Sequence, residues 1–62
     1  MRKVMIGDFV EAKFEGKQIA GIITAAKVSP ADMEWYVELD LTDGGQFICP
    51  ASTLIDCKFV GR

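Results

Sequence analysis

No histidine occurs among the 62 residues. The commonest general base and the imidazole metal ligand are therefore both missing. A Ser-His or Cys-His nucleophile is excluded within one chain. Glu38 and Asp40 come nearest to an acid–base constellation. Two positions apart on an extended backbone, they would sit roughly 7 Å apart on one strand face. That spacing permits acid–base work, but paired acids on a solvent-facing strand are ordinary, and nothing nearby in sequence perturbs them. Cys49 and Cys57 have no third soft ligand, so one chain does not build a zinc site from them. Gly44-Gly45 lacks the glycine spacing, the lysine and the following helix of a phosphate-binding loop. No catalytic residue, metal or cofactor is expected.

Binding chemistry is what remains, and it points to Phe9, Tyr36, Phe47 and Gln46. If Val10, Ala12 and Phe14 face inward, Phe9 faces out. If Trp35 faces inward, Tyr36 faces out. Gln46-Phe47-Ile48-Cys49 leaves two registers open: Ile48 inward with Phe47 outward, or Phe47 buried together with Cys49. Aromatic side chains are enriched where proteins meet. Phe9, Tyr36 and Phe47 are thus candidate anchors for a partner or a second copy. The plainer alternative is that they cover the open end of a domain too small to hide every apolar residue.

Short strands must position these side chains. Gly7-Asp8 is a turn signal, after which Val10, Ala12 and Phe14 alternate with Glu11 and Lys13. Glu15-Gly16-Lys17 is a short loop with glycine available for positive φ. Residues 18–27 compete between helix and strand. Gly21 and the β-branched Ile22-Ile23-Thr24 run favour strand, with Gly21 marking a bulge or a close backbone approach. Residues 28–33 read as a loop, in which Ser29-Pro30-Ala31-Asp32 could make one helical turn capped by Ser29. From Glu34 to Leu41 the pattern alternates cleanly, Trp35, Val37, Leu39 and Leu41 on one face, Tyr36, Glu38 and Asp40 on the other. Thr42-Asp43-Gly44-Gly45 is a hairpin turn. Gln46–Cys49 is a fourth strand ended by Pro50, residues 50–54 suit one 3₁₀ turn, and Ile55–Val60 is a fifth strand.

Size and charge narrow the classes. Sixty-two residues make one domain with a thin stability margin, which makes self-association a live option. Residues 1–5 and 61–62 are expected to be terminal extensions of it. The net charge is −2. Basic residues are dispersed, with only Arg2-Lys3 adjacent, so no stripe for a phosphate backbone is evident and nucleic acid is not the expected partner. No secretory leader or membrane-spanning run is present, since Gly7-Asp8 interrupts the apolar stretch after Arg2-Lys3. A cytoplasmic protein is expected, with Cys49 and Cys57 as buried thiols rather than a disulfide.

Five short strands, a longer loop after the second and a 3₁₀ turn before the last resemble the SH3-like small-barrel superfamily. The resemblance rests on Gly7-Asp8-Phe9-Val10, Gly21-Ile22-Ile23, Trp35-Tyr36-Val37-Glu38 and Cys49-Pro50 followed by Leu54, and covers nearly all of residues 6–60. It implies an all-β, five-stranded SH3-like barrel, a fold that hosts many unrelated activities. Within it the chain is similar to the plasmid-borne type II dihydrofolate reductases, which share a Gly-Asp-x-Val start and a Val-Gln-Ile-Tyr-Pro stretch. Those enzymes are tetramers whose pore holds folate and NADPH, so the resemblance implies a ligand-pore oligomer with Gln46 in the channel. Aligned on Pro50, Phe47 takes the glutamine position, Ile48 matches and Cys49 replaces tyrosine. Aligned on Gln46, Phe47 and Ile48 replace isoleucine and tyrosine. The pore lysine falls on Ala12. A third branch, the translation-factor barrels, implies a nucleic-acid or ribosome-associated module with bases stacked on Tyr36 and Phe47. The leading expectation is a small non-enzymatic module that binds a protein or itself.

Overall fold

The computed structural model describes residues 2–61. Its elements in chain order are β1 (Arg2–Val4), β2 (Phe9–Phe14), β3 (Lys17–Val28), β4 (Trp35–Leu41), β5 (Gln46–Pro50), a 3₁₀ turn (Ala51–Thr53) and β6 (Cys57–Phe59). The chain is all-β, as the period-two alternation predicts. Among the described residues no helix is long and apolar enough to cross a membrane.

Three tight connections set the register. Glu15 and Gly16 both hold positive φ, 51° and 80°, as the two central residues of a hairpin turn whose twist matches its strands. Gly44, at φ 100°, ends the β4–β5 turn, where its N–H donates to the Leu41 carbonyl at 3.0 Å. The turn between β3 and β4 closes with Ser29 N–H to the Glu34 carbonyl, 2.9 Å, and Met33 N–H to the Ser29 carbonyl, 2.7 Å. The one-turn helix expected at Ser29–Asp32 is instead a hydrogen-bonded turn, because Met33 takes a left-handed φ of 57° and reverses the chain.

Strand β3 is long enough to serve two partners. It pairs with β2 through Lys17–Ile22 and with β4 from Gly21 onward, and the sheet order is β2-β3-β4-β5. Gly21 stands where the two ladders overlap. A Cβ there would lie 2.5 Å from the Asp40 carbonyl oxygen, so the residue is a close backbone approach. The bulge is separate and falls at Thr24, between the Ile23 and Ala25 pairings. Thr24 Oγ1 donates to the Glu38 carbonyl at 3.2 Å and ties the bulge down.

The inward face of this sheet supplies Val10, Ala12, Ile23, Val37, Leu39 and Cys49, all buried. Val4, Leu54, Cys57 and Phe59 close over them from the other side. Each fully buried aliphatic side chain is worth about 1.5–3 kcal/mol relative to exposure. Cys49 and Cys57 are both free thiols.

Two expectations are corrected here. Residues 1–5 are not simply an extension: Arg2–Val4 pairs in parallel with Cys57–Phe59, and Val4 is a core residue at 1% exposure. Met1, in that span, and Arg62, in the other expected extension, lie outside the described residues. The last strand is also shorter than Ile55–Val60, because Asp56 adopts φ 53° and makes a turn before Cys57. Among the described residues the two-stranded β1–β6 ladder and the four-stranded sheet do not merge into a closed barrel. The segment leading into β6 is tied to the sheet by the isolated Ala12–Leu54 bridge and the Ile55 N–H to Glu11 carbonyl bond of 2.8 Å.

Candidate interaction surface

The side of the four-stranded sheet turned away from the core is built from the alternate residues of each strand. Cross-strand pairing arranges them in rows. Phe9 stands beside Ile22, Ile22 beside Asp40 and Asp40 beside Gln46. A second row runs Ala25, Glu38, Ile48, and a third Lys27, Tyr36, Pro50. Three of these positions expose large apolar side chains: Phe9 at 52%, Ile22 at 44% and Ile48 at 57%. A solvated sheet face normally alternates to polar residues. This one keeps apolar groups among its charges.

Ala25, Lys27, Tyr36, Glu38 and Ile48 line a shallow cleft of about 70 Å³ on this face. The Thr24 bulge shifts Ala25 into register with Glu38, which sets the small Ala25 side chain between taller neighbours. The Tyr36 hydroxyl donates to Asp32 Oδ2 at 3.3 Å. The Asp32 charge pushes the Tyr36 phenol above its ordinary pKa, with some desolvation and the hydrogen bond adding to it. Tyr36 is thus a neutral donor held toward the turn.

Of the residues singled out in the sequence, Phe9 and Gln46 share a row but lie at its two ends, roughly 14 Å apart from three strand spacings. Tyr36 lies four residues along β4 from Asp40, on the third row. Phe47 does not join them. It faces the interior with Cys49, half-buried, with its ring edge-on to Phe14 at 5.6 Å between centroids. An outward Phe47 is therefore corrected: β5 takes the register that buries Cys49 and exposes Gln46 and Ile48. Ile22 and Ile48 are surface residues that alternation alone did not single out. The parity of Phe9, carried across the β2–β3 ladder, would have found Ile22.

Elsewhere, Trp35 and Phe59 stack obliquely at 5.4 Å at one end of the molecule. Beside them is an open hollow of about 430 Å³ against Ala51, Ser52 and Leu54, with Glu34 and Lys58 at its rim. Burial pushes the Cys49 thiol pKa up, partly offset by Thr53. A thiol so held is a poor nucleophile. Among the described residues no group of three or more acidic or cysteine side chains is placed to hold a metal ion. Glu38 and Asp40 lie on the outer face, where Glu38 Oε1 accepts a bond from Thr24 Oγ1 at 3.4 Å. Compared with protein-family models, curated proteins and solved structures, the chain has no match.

Proposed function

We propose that the chain is a small SH3-like barrel acting as a non-enzymatic module that binds a protein partner or a second copy through the outer face of its four-stranded sheet. The observation carrying this reading is the exposure of three large apolar side chains, the paired Phe9 and Ile22 and, on β5, Ile48, on a face where polar residues would be the rule. The strand order, the 3₁₀ turn before the last strand and the antiparallel bridge from Ala12 to Leu54 support the barrel kinship. A pore like that of the type II reductases draws less support. In the alignment on Pro50, the glutamine and tyrosine positions fall on Phe47 and Cys49, whose side chains turn into the core.

The test compares the wild type with a Phe9→Thr/Ile22→Thr double variant in cells of the source, by cross-linking and affinity capture. Threonine keeps strand propensity while removing the apolar surface. A protein captured by the wild type and lost from a variant with an unchanged Tm supports the reading. Identical capture by both would remove it. A Tm rise with dihydrofolate or NADPH would instead favour the ligand-pore alternative.

A further inference from the structure

We propose that the open edge of β5 pairs with β5 of a second copy, antiparallel and centred on Ile48, joining two four-stranded sheets into one. The proposal rests on the self-association side of the function above and names the surface and the occupant.

The edge is open by its hydrogen-bond pattern. Leu41 N–H donates to the Gly45 carbonyl at 2.7 Å, which sets the alternation of the β4–β5 ladder. In an antiparallel pair, bonded and non-bonded positions alternate. Phe47 and Cys49 therefore exchange bonds with Leu39 and Val37, while Gln46, Ile48 and Pro50 stand at non-bonded positions opposite Asp40, Glu38 and Tyr36. Their backbone groups point away from the sheet. The Pro50 carbonyl is taken up by the 3₁₀ turn that follows, where it accepts from Thr53 Oγ1 at 2.6 Å. Among the described residues no other strand lies beyond β5.

Sheet edges are ordinarily guarded by charge or by covering chain. Strand β1 carries Arg2 and Lys3. Strand β2 carries Glu11 and Lys13, and the segment at Leu54 and Ile55 covers it. Strand β5 carries no charge. Its only guard is Pro50, which ends the ladder rather than blocking its middle.

The edge also fits itself. A two-fold axis at Ile48 sets Ile48 against its own copy and Gln46 against Pro50 of the partner strand. The Ile48 pair exchanges both N–H···O bonds. Pairing stops at Pro50 on either side, since it has no N–H and its carbonyl is turned to Thr53. Pairing a strand with its own copy puts like against like at the axis. An isoleucine there meets no repulsion, whereas β1 centred on Lys3 would oppose two lysines. Glu38 stays three strand spacings from its copy, roughly 14 Å and beyond the Debye length at physiological salt. A second copy further brings an edge that is already ordered, where a flexible peptide would first have to lose its chain entropy.

Sedimentation equilibrium across roughly 10 µM to 1 mM brackets the weak end of specific association. The mass should rise from one chain toward two. Ile48→Lys should weaken that rise about tenfold or more, since like charges would then face each other directly, while the monomer Tm stays put because Ile48 lies outside the core. Amide exchange of Ile48 should slow as concentration rises, and Phe9→Thr should leave both effects in place. A chain that stays monomeric at every concentration overturns the proposal, and so does a dimer in which the Ile48 amide remains unprotected. If Phe9→Thr abolishes association and Ile48→Lys does not, the β5 pairing is wrong and the sheet-face function still stands.

Discussion

Strands β2 and β5 are the two margins of one sheet, and the chain treats them differently. The outward backbone of β2 is met by the returning chain: Ile55 N–H bonds the Glu11 carbonyl at 2.8 Å, and Leu54 bridges Ala12. Its exposed side chains at that margin are Phe9, Glu11 and Lys13, two of them charged. The outward backbone of β5 meets no other strand among the described residues, only Thr53 at the Pro50 carbonyl, and its outward side chains are a glutamine, an isoleucine and a proline. A buried backbone group must find a partner within the fold, so the covered edge is part of what makes the domain stable. The open edge contributes little to folding and is free to serve association.

Substituting one aliphatic residue at each margin should break the comparison most sharply. Leu54→Ala removes a side chain at 7% exposure that helps cover β2, and should cost about 2–5 kcal/mol of unfolding free energy. Ile48→Ala should stay within about 0.5 kcal/mol. Urea denaturation reads both, and equal losses would deny the difference between the edges. Next in size is Gly21→Ala, where the new Cβ would meet a backbone oxygen rather than a yielding side chain. It should destabilise by about 1–3 kcal/mol and loosen the ladder that carries β2.

Smaller effects sharpen the picture. Glu15 pays for its left-handed φ of 51° in the β2–β3 turn, so Glu15→Asn should stabilise by roughly 0.5–1 kcal/mol, seen as a higher Tm. On β5, alkylation followed by peptide mapping should separate neighbouring positions. Cys49, buried and with its thiol pKa raised, should react slowly at neutral pH, whereas the thiol introduced by Ile48→Cys should react as an exposed one. Similar rates at both would mean that β5 does not alternate as described.

Alternation made β2 and β4 legible, because Ala12, Val37 and Leu39 each stand between charged or polar neighbours and all are buried. Gly21 was legible as a bulge or a close approach, since a glycine inside an isoleucine-rich strand needs a steric reason, and the structure takes the second and puts the bulge at Thr24. Strand β5 was not, because Phe47, Ile48 and Cys49 are three apolar residues in a row and either parity satisfies them. Packing against Phe14 chooses between the two, and that contact lies outside any local window. Strand β1 was illegible for a similar reason. It is three residues long, two of them charged, and its partner is at the far end of the chain. The candidate surface suffered accordingly: Phe9 faces outward as its parity implies, while of the two registers left open for β5 the structure takes the one that exposes Gln46 and Ile48 and turns Phe47 inward.

The decisive quantity is the protection of individual amides along β5 in dilute solution, measured by hydrogen exchange with NMR detection. Gln46 and Ile48 should exchange fast while Phe47 and Cys49 are protected through β4. Protection of Gln46 and Ile48 with rapid exchange at Phe47 and Cys49 would invert the strand, returning Ile48 to the interior and leaving no open apolar edge to pair.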